Sequence, residues 1–305
     1  MNNEDKDILF NILNEEIDDN SVHNIRKNGK TISRNDSDEI KIISKKDKQG
    51  IEIFVKSSVK NQTIQVPVLL TTEGFNDTVY NDYNIEANAE VTIVAGCAIH
   101  NDCEITSIHS GVHKFNIGKN AKVRYIEKHY GCGQVDSNKV INTDTIINLS
   151  ESSSLTIETV QISGVDKSLR NTVAVLEMNS VLEISEKLMT ASNDEVISNY
   201  KIDLKGMNSK VNLISRSIAK SNSSQNFVSE LVGNNKSFGH IECDAIIMDN
   251  AKVSSTPKIV ANNVEAELTH EAAIGKISGE QILKLETLGL TKEEAEAEII
   301  KGFMK

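Results

Sequence analysis

The strongest constraint on this chain is an internal repeat. A small or polar pair, one variable residue and an alternating apolar run recur as NAEVTIVAG from Asn88, NAKVRYIEK from Asn120, SSSLTIETVQI from Ser152, NSVLEISEKLMT from Asn179, NSKVNLISRS from Asn208 and NAKVSSTPKIV from Asn250. Successive starts lie 32, 32, 27, 29 and 42 residues apart. Near-regular spacing of this kind marks stacked supersecondary units, none of which can bury its apolar face alone. Further apolar runs such as TIINLS and NTVAVLEM fall between the starts, so each period holds more than one strand. Asn gathers at the turns, where it tolerates left-handed backbone and can ladder from coil to coil. A propeller or an open sandwich also has short strands, but a sandwich requires hairpin turns, and the one Asn-Gly pair, Asn28-Gly29, lies outside the repeats. The pattern predicts a mainly β chain whose residues 51–277 form a parallel β-helix. Alternation points Val91, Ile93, Val123, Leu155, Ile157, Leu182, Ile184, Val211 and Leu213 inward.

The flanks read differently. Within residues 4–18, Ile8, Leu9, Ile12, Leu13 and Ile17 share one helical face, which predicts a short amphipathic helix. The rest of the segment 1–50 is polar and reads as a mobile connector, with one short strand around Ile40–Ile43. After Ile277 the period becomes helical. Ser278 to Gln281 and Thr291 with Glu294 read as two capping boxes, followed by Ile282, Leu283, Leu285 and Leu288, and by Ala295, Ile299, Ile300 and Phe303. Residues 278–305 thus predict a two-helix segment, too short for its own core and leaning on the β-helix.

Charge and composition narrow the function. A formal charge of −11 spread along the chain argues against nucleic acid or an anionic membrane as partner. No apolar run has the length of a membrane span, and MNNEDKDILF lacks the features of a signal peptide, so the cytoplasm is the expected location. Cys97, Cys103, Cys132 and Cys243 form no CxxC pair and read as reduced thiols. Neither a phosphate-binding GxxxxGK[ST] loop nor a GxSxG elbow is present. A β-helical enzyme acting on polysaccharide is the alternative reading, weakened by seven Phe, five Tyr and no Trp for stacking sugars. A structural adhesion module would need a secretion signal.

Two stretches hold candidate chemistry. From Cys97 to Cys132 the chain packs in His100, Cys103, His109, His113 and His129, types that bind zinc or iron. Without knuckle spacing, they read as buried thiols and solvated histidines, and Gly131-Cys132-Gly133 as a turn first and a sulfur carrier second. The second stretch, Ser237 to Ile277, holds Cys243 in a strand-like run and, 27 residues on, His270-Glu271. A thiol, an imidazole and a carboxylate can hold a metal or form a nucleophile with its base and orienter; spacing does not choose.

The wording of that second stretch goes further. GHIECDAIIMD, LTHEAAIGKI and EQILKLETLGLTKEEAEAEIIKGF resemble the C-terminal signature of the SufB/SufD family of iron-sulfur cluster assembly scaffolds. The resemblance runs upstream through HSGVHKFNIGKNAKVRYIEKHYG and covers roughly residues 85–305. It implies a right-handed parallel β-helix that is a scaffold of the SUF system and not an enzyme, carrying a transient iron-sulfur cluster. Cys243 matches the family cysteine implicated in building the nascent cluster, with His270 and Glu271 beside it at a subunit interface as cluster and metal ligands. Glu271 favours a SufB-like assignment, because SufD-like members lack that carboxylate, while Thr269 stands where some members carry a further acid. The implied partners are a SufC-type ABC ATPase docking on the C-terminal helices, a second copy or a SufB/SufD paralogue as dimer, a sulfur donor and apo-protein acceptors. A flavin is the weaker expectation, since the N-terminal region of long SufB proteins has no counterpart in this sequence, whose compact length resembles members of minimal assembly systems.

Overall fold

The fold is that of a computed structural model, which describes residues 3–13, 17–18, 20–133, 138–162 and 164–304. In chain order the elements are α1 (Asn3–Leu13), β1 (Val22–Lys27), β2 (Lys30–Asn35), β3 (Ile40–Ser44), β4 (Gly50–Val55), β5 (Gln62–Leu70), β6 (Asn76–Ile85), β7 (Glu90–His100), β8 (Ser107–Ile117), β9 (Lys122–Cys132), β10 (Lys139–Leu149), β11 (Ser154–Gln161), β12 (Lys167–Leu176), β13 (Val181–Thr190), β14 (Glu195–Leu204), β15 (Ser209–Ala219), β16 (Ser224–Gly233), β17 (Ser237–Ile247), β18 (Lys252–Ala261), β19 (Ala266–Gly275), α2 (Gly279–Glu286) and α3 (Lys292–Phe303). From β6 to β17 each strand pairs in parallel with the strands two before and two after it. The odd strands β5 to β19 build one sheet and the even strands β4 to β18 the other. The chain alternates between them, giving the expected parallel β-solenoid, with about eight coils of two strands each.

Left-handed corner residues set this winding. Asn61, Asn88, Asn120, Ser152, Asn179 and Asn208 have φ between 54° and 64° and stand immediately ahead of β5, β7, β9, β11, β13 and β15. Ser192, Ser221 and Asp249, with φ 49°, 59° and 57°, turn the chain three residues ahead of β14, β16 and β18. The repeat beginning at Asn250 therefore belongs to the even sheet, and the 42-residue interval is a change of sheet, not a long coil. Short polar side chains suit these corners because they adopt αL at low cost and bond their equivalents in the next coil. Asn120 donates to Asn88 at 3.1 Å and Asn208 to Asn179 at 3.2 Å, and inside the even sheet Asn148, Asn116 and Asn84 form a second ladder at 3.1 and 2.9 Å. All nine residues expected to face inward are buried, none more than 4% exposed. Each contributes roughly 1.5–3 kcal/mol of hydrophobic stabilisation.

The N-terminal segment corrects the sequence reading. Residues 20–50 are not a mobile connector. β1 and β2 form an antiparallel hairpin turning at Asn28 and Gly29, with φ 45° and 77°, and β3 pairs antiparallel with β4. The hairpin signal at Asn28-Gly29 thus operates, and the short strand expected near Ile40 is β3. β1 joins the odd sheet beside β5, and Ile40 and Ile42 are buried, so this end of the solenoid is sealed. The polar composition of these strands reflects their exposed outer faces, not lack of order. α1 lays Ile8, Leu9, Ile12 and Leu13 on Leu69, Val94 and Ala98, on the outside of the odd sheet. Ile17 packs against the same cluster, while 14–16 lie outside the described residues.

At the other terminus, Thr291 and Glu294 form the reciprocal capping box expected for α3. Ser278 caps α2 by accepting from the Glu280 N–H at 3.3 Å, one residue short of a box with Gln281. The two helices pack on each other around Ala295 and leave Leu283 and Leu288 61% and 72% exposed. Among the described residues no helix is long and apolar enough to cross a membrane.

Candidate functional site

The last two coils hold the candidate residues, and strand parity decides which can meet. Cys243 lies on β17 facing inward, 2% exposed, and its neighbour in register on β19 is Ala272, 29 residues on. His270 pairs with Ile241 and also faces inward, one file over from Cys243 and one strand further along. Glu271 pairs with Glu242, one position out of phase with Cys243, so its carboxylate projects from the opposite face. There it joins an exterior group in which His240 Nδ1 lies 2.9 Å from Thr269 Oγ1 and His240 Nε2 lies 3.8 Å from Glu242. One chain therefore sets Cys243 and His270 on the same inward face of adjacent strands and turns Glu271 away.

The environment suits metal capture more than standing nucleophilicity. Burial pushes the Cys243 thiol up to about 11, so at neutral pH it is protonated and an arriving cation must displace that proton. Burial, with His240 nearby, lowers His270 below the usual imidazole range and keeps it neutral. Its Nε2 is buried without a hydrogen-bond partner among the described residues, the state of a donor atom able to take a ligand. Among the described residues no three His, Cys, Asp or Glu side chains of one chain converge on a common metal position.

This end of the solenoid is open. β18 and β19 are the terminal strands of their sheets, with no strand beyond them among the described residues. Their inward residues Ile259 and Ile274 line up with buried Leu231 and Ala245 yet remain 40% and 38% exposed. An apolar interior ending on two bare strand edges is a surface that strand-built proteins cover or pair.

The sequence reading missed a buried polar chain leading toward Cys243. Glu127, Thr159, Glu186, Ser215 and Cys243 occupy one inward file on successive odd strands. Arg170, reaching across from β12, bonds Glu127 at 2.9 Å and lies 3.5 Å from Glu186. Glu186 also accepts from Ser215, Ser198 and Tyr200 at 2.7, 2.8 and 3.0 Å. Burial alone would raise Glu127, but His129, Arg170 and His113 outweigh it and hold the carboxyl well below its usual range. A second pair, Arg26 with Asp77 at 2.7 Å, sits beside His109. The signal was present: alternation from Val123 and from Leu182 places Glu127 and Glu186 on the inward face.

The same parity corrects the segment from Cys97 to Cys132. His109, His113 and His129 are not solvated but inside the solenoid, at most 7% exposed. Burial depresses His113 to about 4 against the pull of Glu127. Cys97 is buried as expected, its thiol raised by burial. Cys132 and His100 are neighbours in register on the outer face, with Sγ 3.4 Å from Nδ1, and His100 Nε2 lies 3.0 Å from Asp102.

Comparison with known proteins agrees with the fold. Residues 76–303 match the family model described as SUF system FeS cluster assembly, SufBD core domain. An iron-sulfur cluster assembly SufBD family protein of Pyrococcus horikoshii is 31% identical over 267 residues, covering 84% of this chain and 79% of its own length. One from Methanocaldococcus jannaschii is 28% identical over 276 residues, covering 88% and 85%. One from Methanothermobacter thermautotrophicus is 26% identical over 244 residues, 79% of this chain but only 58% of the relative. The chain belongs to the SufBD family, whose model describes the core domain of iron-sulfur cluster assembly proteins of the SUF system.

Proposed function

We propose that this chain is a scaffold on which a nascent iron-sulfur cluster is assembled at the open end of the solenoid, with Cys243 and His270 as ligands. The observation that carries the reading is the position of these two side chains in the last two strands of the odd sheet, beside an uncovered interior. A second copy of the chain, packed end to end through β18 and β19, covers Ile259 and Ile274 and completes a ligand set that one chain leaves unfinished. Glu271, on the outer face, serves as ligand only in that assembly, through the partner's geometry. A single thiolate helped by imidazole and carboxylate holds iron less firmly than a four-cysteine cage, which suits a cluster that must be handed on. The exposed α2–α3 pair offers Leu283 and Leu288 to a SufC-type ATPase whose shape change drives release. The chain itself is not an enzyme in this reading, and its partners are the sulfur donor and the acceptor apo-proteins.

The test is anaerobic reconstitution with ferrous iron and inorganic sulfide, read by absorbance and by iron and sulfide content. Cys243→Ser removes the cluster and Glu271→Ala weakens it, each with the oligomer retained, while Cys97→Ser, Cys103→Ser and Cys132→Ser keep it. A cluster that survives Cys243→Ser and is lost in one of the other three moves the site away from the open end.

A further inference from the structure

Two inward files of side chains face each other across the solenoid, and Ser255 stands in the second where Cys243 stands in the first. On the even strands β10, β12, β14, β16 and β18 the file reads Thr143, Arg170, Ser198, Phe227 and Ser255. It faces the file of Glu127, Thr159, Glu186, Ser215 and Cys243, as the contacts of Arg170 with Glu127 and Glu186 and of Ser198 with Glu186 establish. Ser198 follows Glu186 by 12 residues and reaches it at 2.8 Å. Ser255 follows Cys243 by the same interval, through a corner turned at Asp249 as the earlier one is turned at Ser192. Coils of equal build repeat their contacts, so Ser255 is placed toward Cys243 as Ser198 is toward Glu186. The chemistry of this last pair is unfinished. Burial raises the Cys243 thiol and the Ser255 hydroxyl beside it works the other way, yet Ser255 Oγ is itself buried without a partner of hydrogen-bonding geometry among the described residues. Phe227, 5% exposed, separates it from Ser198 and from the bonds around Glu186. On β17, β18 and β19 the buried side-chain nitrogen and oxygen atoms in that state, among the described residues, are Ser255 Oγ and His270 Nε2. One lies across the interior from Cys243 and the other on the neighbouring strand. A neutral thiol is a weak acceptor for that hydroxyl, whereas a metal-bound thiolate is a strong one.

We propose that Ser255 is a positioning residue for metal at Cys243, its hydroxyl donating a hydrogen bond to the sulfur once a metal ion has displaced the thiol proton. This rests on the assembly reading above and adds to it a residue of the even sheet. The sulfur–metal bond forms as the S–H bond breaks, the proton leaves to solvent water, and the hydroxyl turns onto the sulfur with its own proton retained. The new bond exists only in the metal-bound state, so it adds to affinity, and by drawing electron density from the sulfur it tunes the metal that the sulfur holds.

The experiment titrates the reduced full-length chain, without oxygen, iron or sulfide, with cobalt(II) chloride and follows the near-ultraviolet thiolate-to-metal charge-transfer band. The part of the band that Cys243→Ser removes is the signal. Ser255→Ala weakens the affinity read from that signal about tenfold and moves the band to longer wavelength, while Ser255→Thr, which keeps the hydroxyl, stays near wild type in both. Ser254→Ala is the control on the same strand: its hydroxyl donates to Asn226 at 2.8 Å on the outer face, and its loss changes neither affinity nor band. The exchanged pair, Cys243→Ser with Ser255→Cys, recovers the band that Cys243→Ser loses, because the two side chains face one metal position. Far-UV circular dichroism is unchanged throughout. A Ser255→Ala chain with wild-type affinity and band, or a weaker affinity with the band unmoved, overturns the proposal, as does an exchanged pair no better than Cys243→Ser. A band that depends on Cys243 but not on Ser255 refutes this proposal alone, whereas a band indifferent to Cys243 refutes the assembly reading as well.

Discussion

Replacing Arg170 with Met tests whether the interior of the solenoid is held by charge as well as by aliphatic ladders. Arg170 is 8% exposed at its side chain and faces Glu127 and Glu186, 4% and 6% exposed. Removing one member of a buried ion group costs about 3–5 kcal/mol, because the remaining charge is left in low dielectric. The lower part of that range applies here, since Glu186 keeps three hydroxyl donors and Glu127 keeps the Tyr125 hydroxyl at 3.0 Å. We expect a loss of about 3 kcal/mol at pH 7, read from urea unfolding followed by circular dichroism. Glu127→Gln added to Arg170→Met costs less than the sum of the single changes, with a coupling of about 1–3 kcal/mol. Arg124→Met is the control: its ion pair with Glu158 is exposed, 52% and 37%, and its loss costs under about 1 kcal/mol. If Arg170→Met costs no more than Arg124→Met, and no coupling with Glu127 appears, the buried pair is solvated and the argument fails.

Two further expectations follow from burial and exposure. His113 is held neutral near a pKa of about 4, whereas the unfolded ring titrates at 6.5, so its contribution is complete above pH 6.5 and is lost as pH falls toward 4. That amounts to about 3 kcal/mol, and His113→Gln should flatten the fall in urea midpoint across this window. Leu288→Asp, at a side chain 72% exposed, should abolish co-purification of the proposed SufC-type ATPase while changing unfolding stability by less than about 0.5 kcal/mol; co-purification that persists places the docking surface elsewhere.

Much of the architecture was legible because a solenoid is written locally. Corners need αL residues and interiors need residues two apart, and both are visible in Asn88, Val91 and Ile93 or in Asn179, Leu182 and Ile184. The N-terminal hairpins were less legible, since strands with solvated outer faces carry the Lys, Asn and Asp that also mark a connector. The candidate sites show the same division. His100 and Cys132 are 32 residues apart, equal to the repeat interval between Asn88 and Asn120, so their contact could have been read from the repeat. Cys243 with His270 and Glu271 could not, because the coil there is 29 residues long, and only the register shows an even offset for His270 and an odd one for Glu271. The sequence by itself determined the period, the corners and the inward aliphatic ladder, which depend on backbone preference and alternation within a few residues. The tertiary structure alone decided how the interior charges pair, Arg170 with Glu127 and Glu186, and that His270 shares the face of Cys243 while Glu271 does not. Those outcomes depend on coil length modulo two, and a one-residue change in a turn sends a side chain from the core to the solvent.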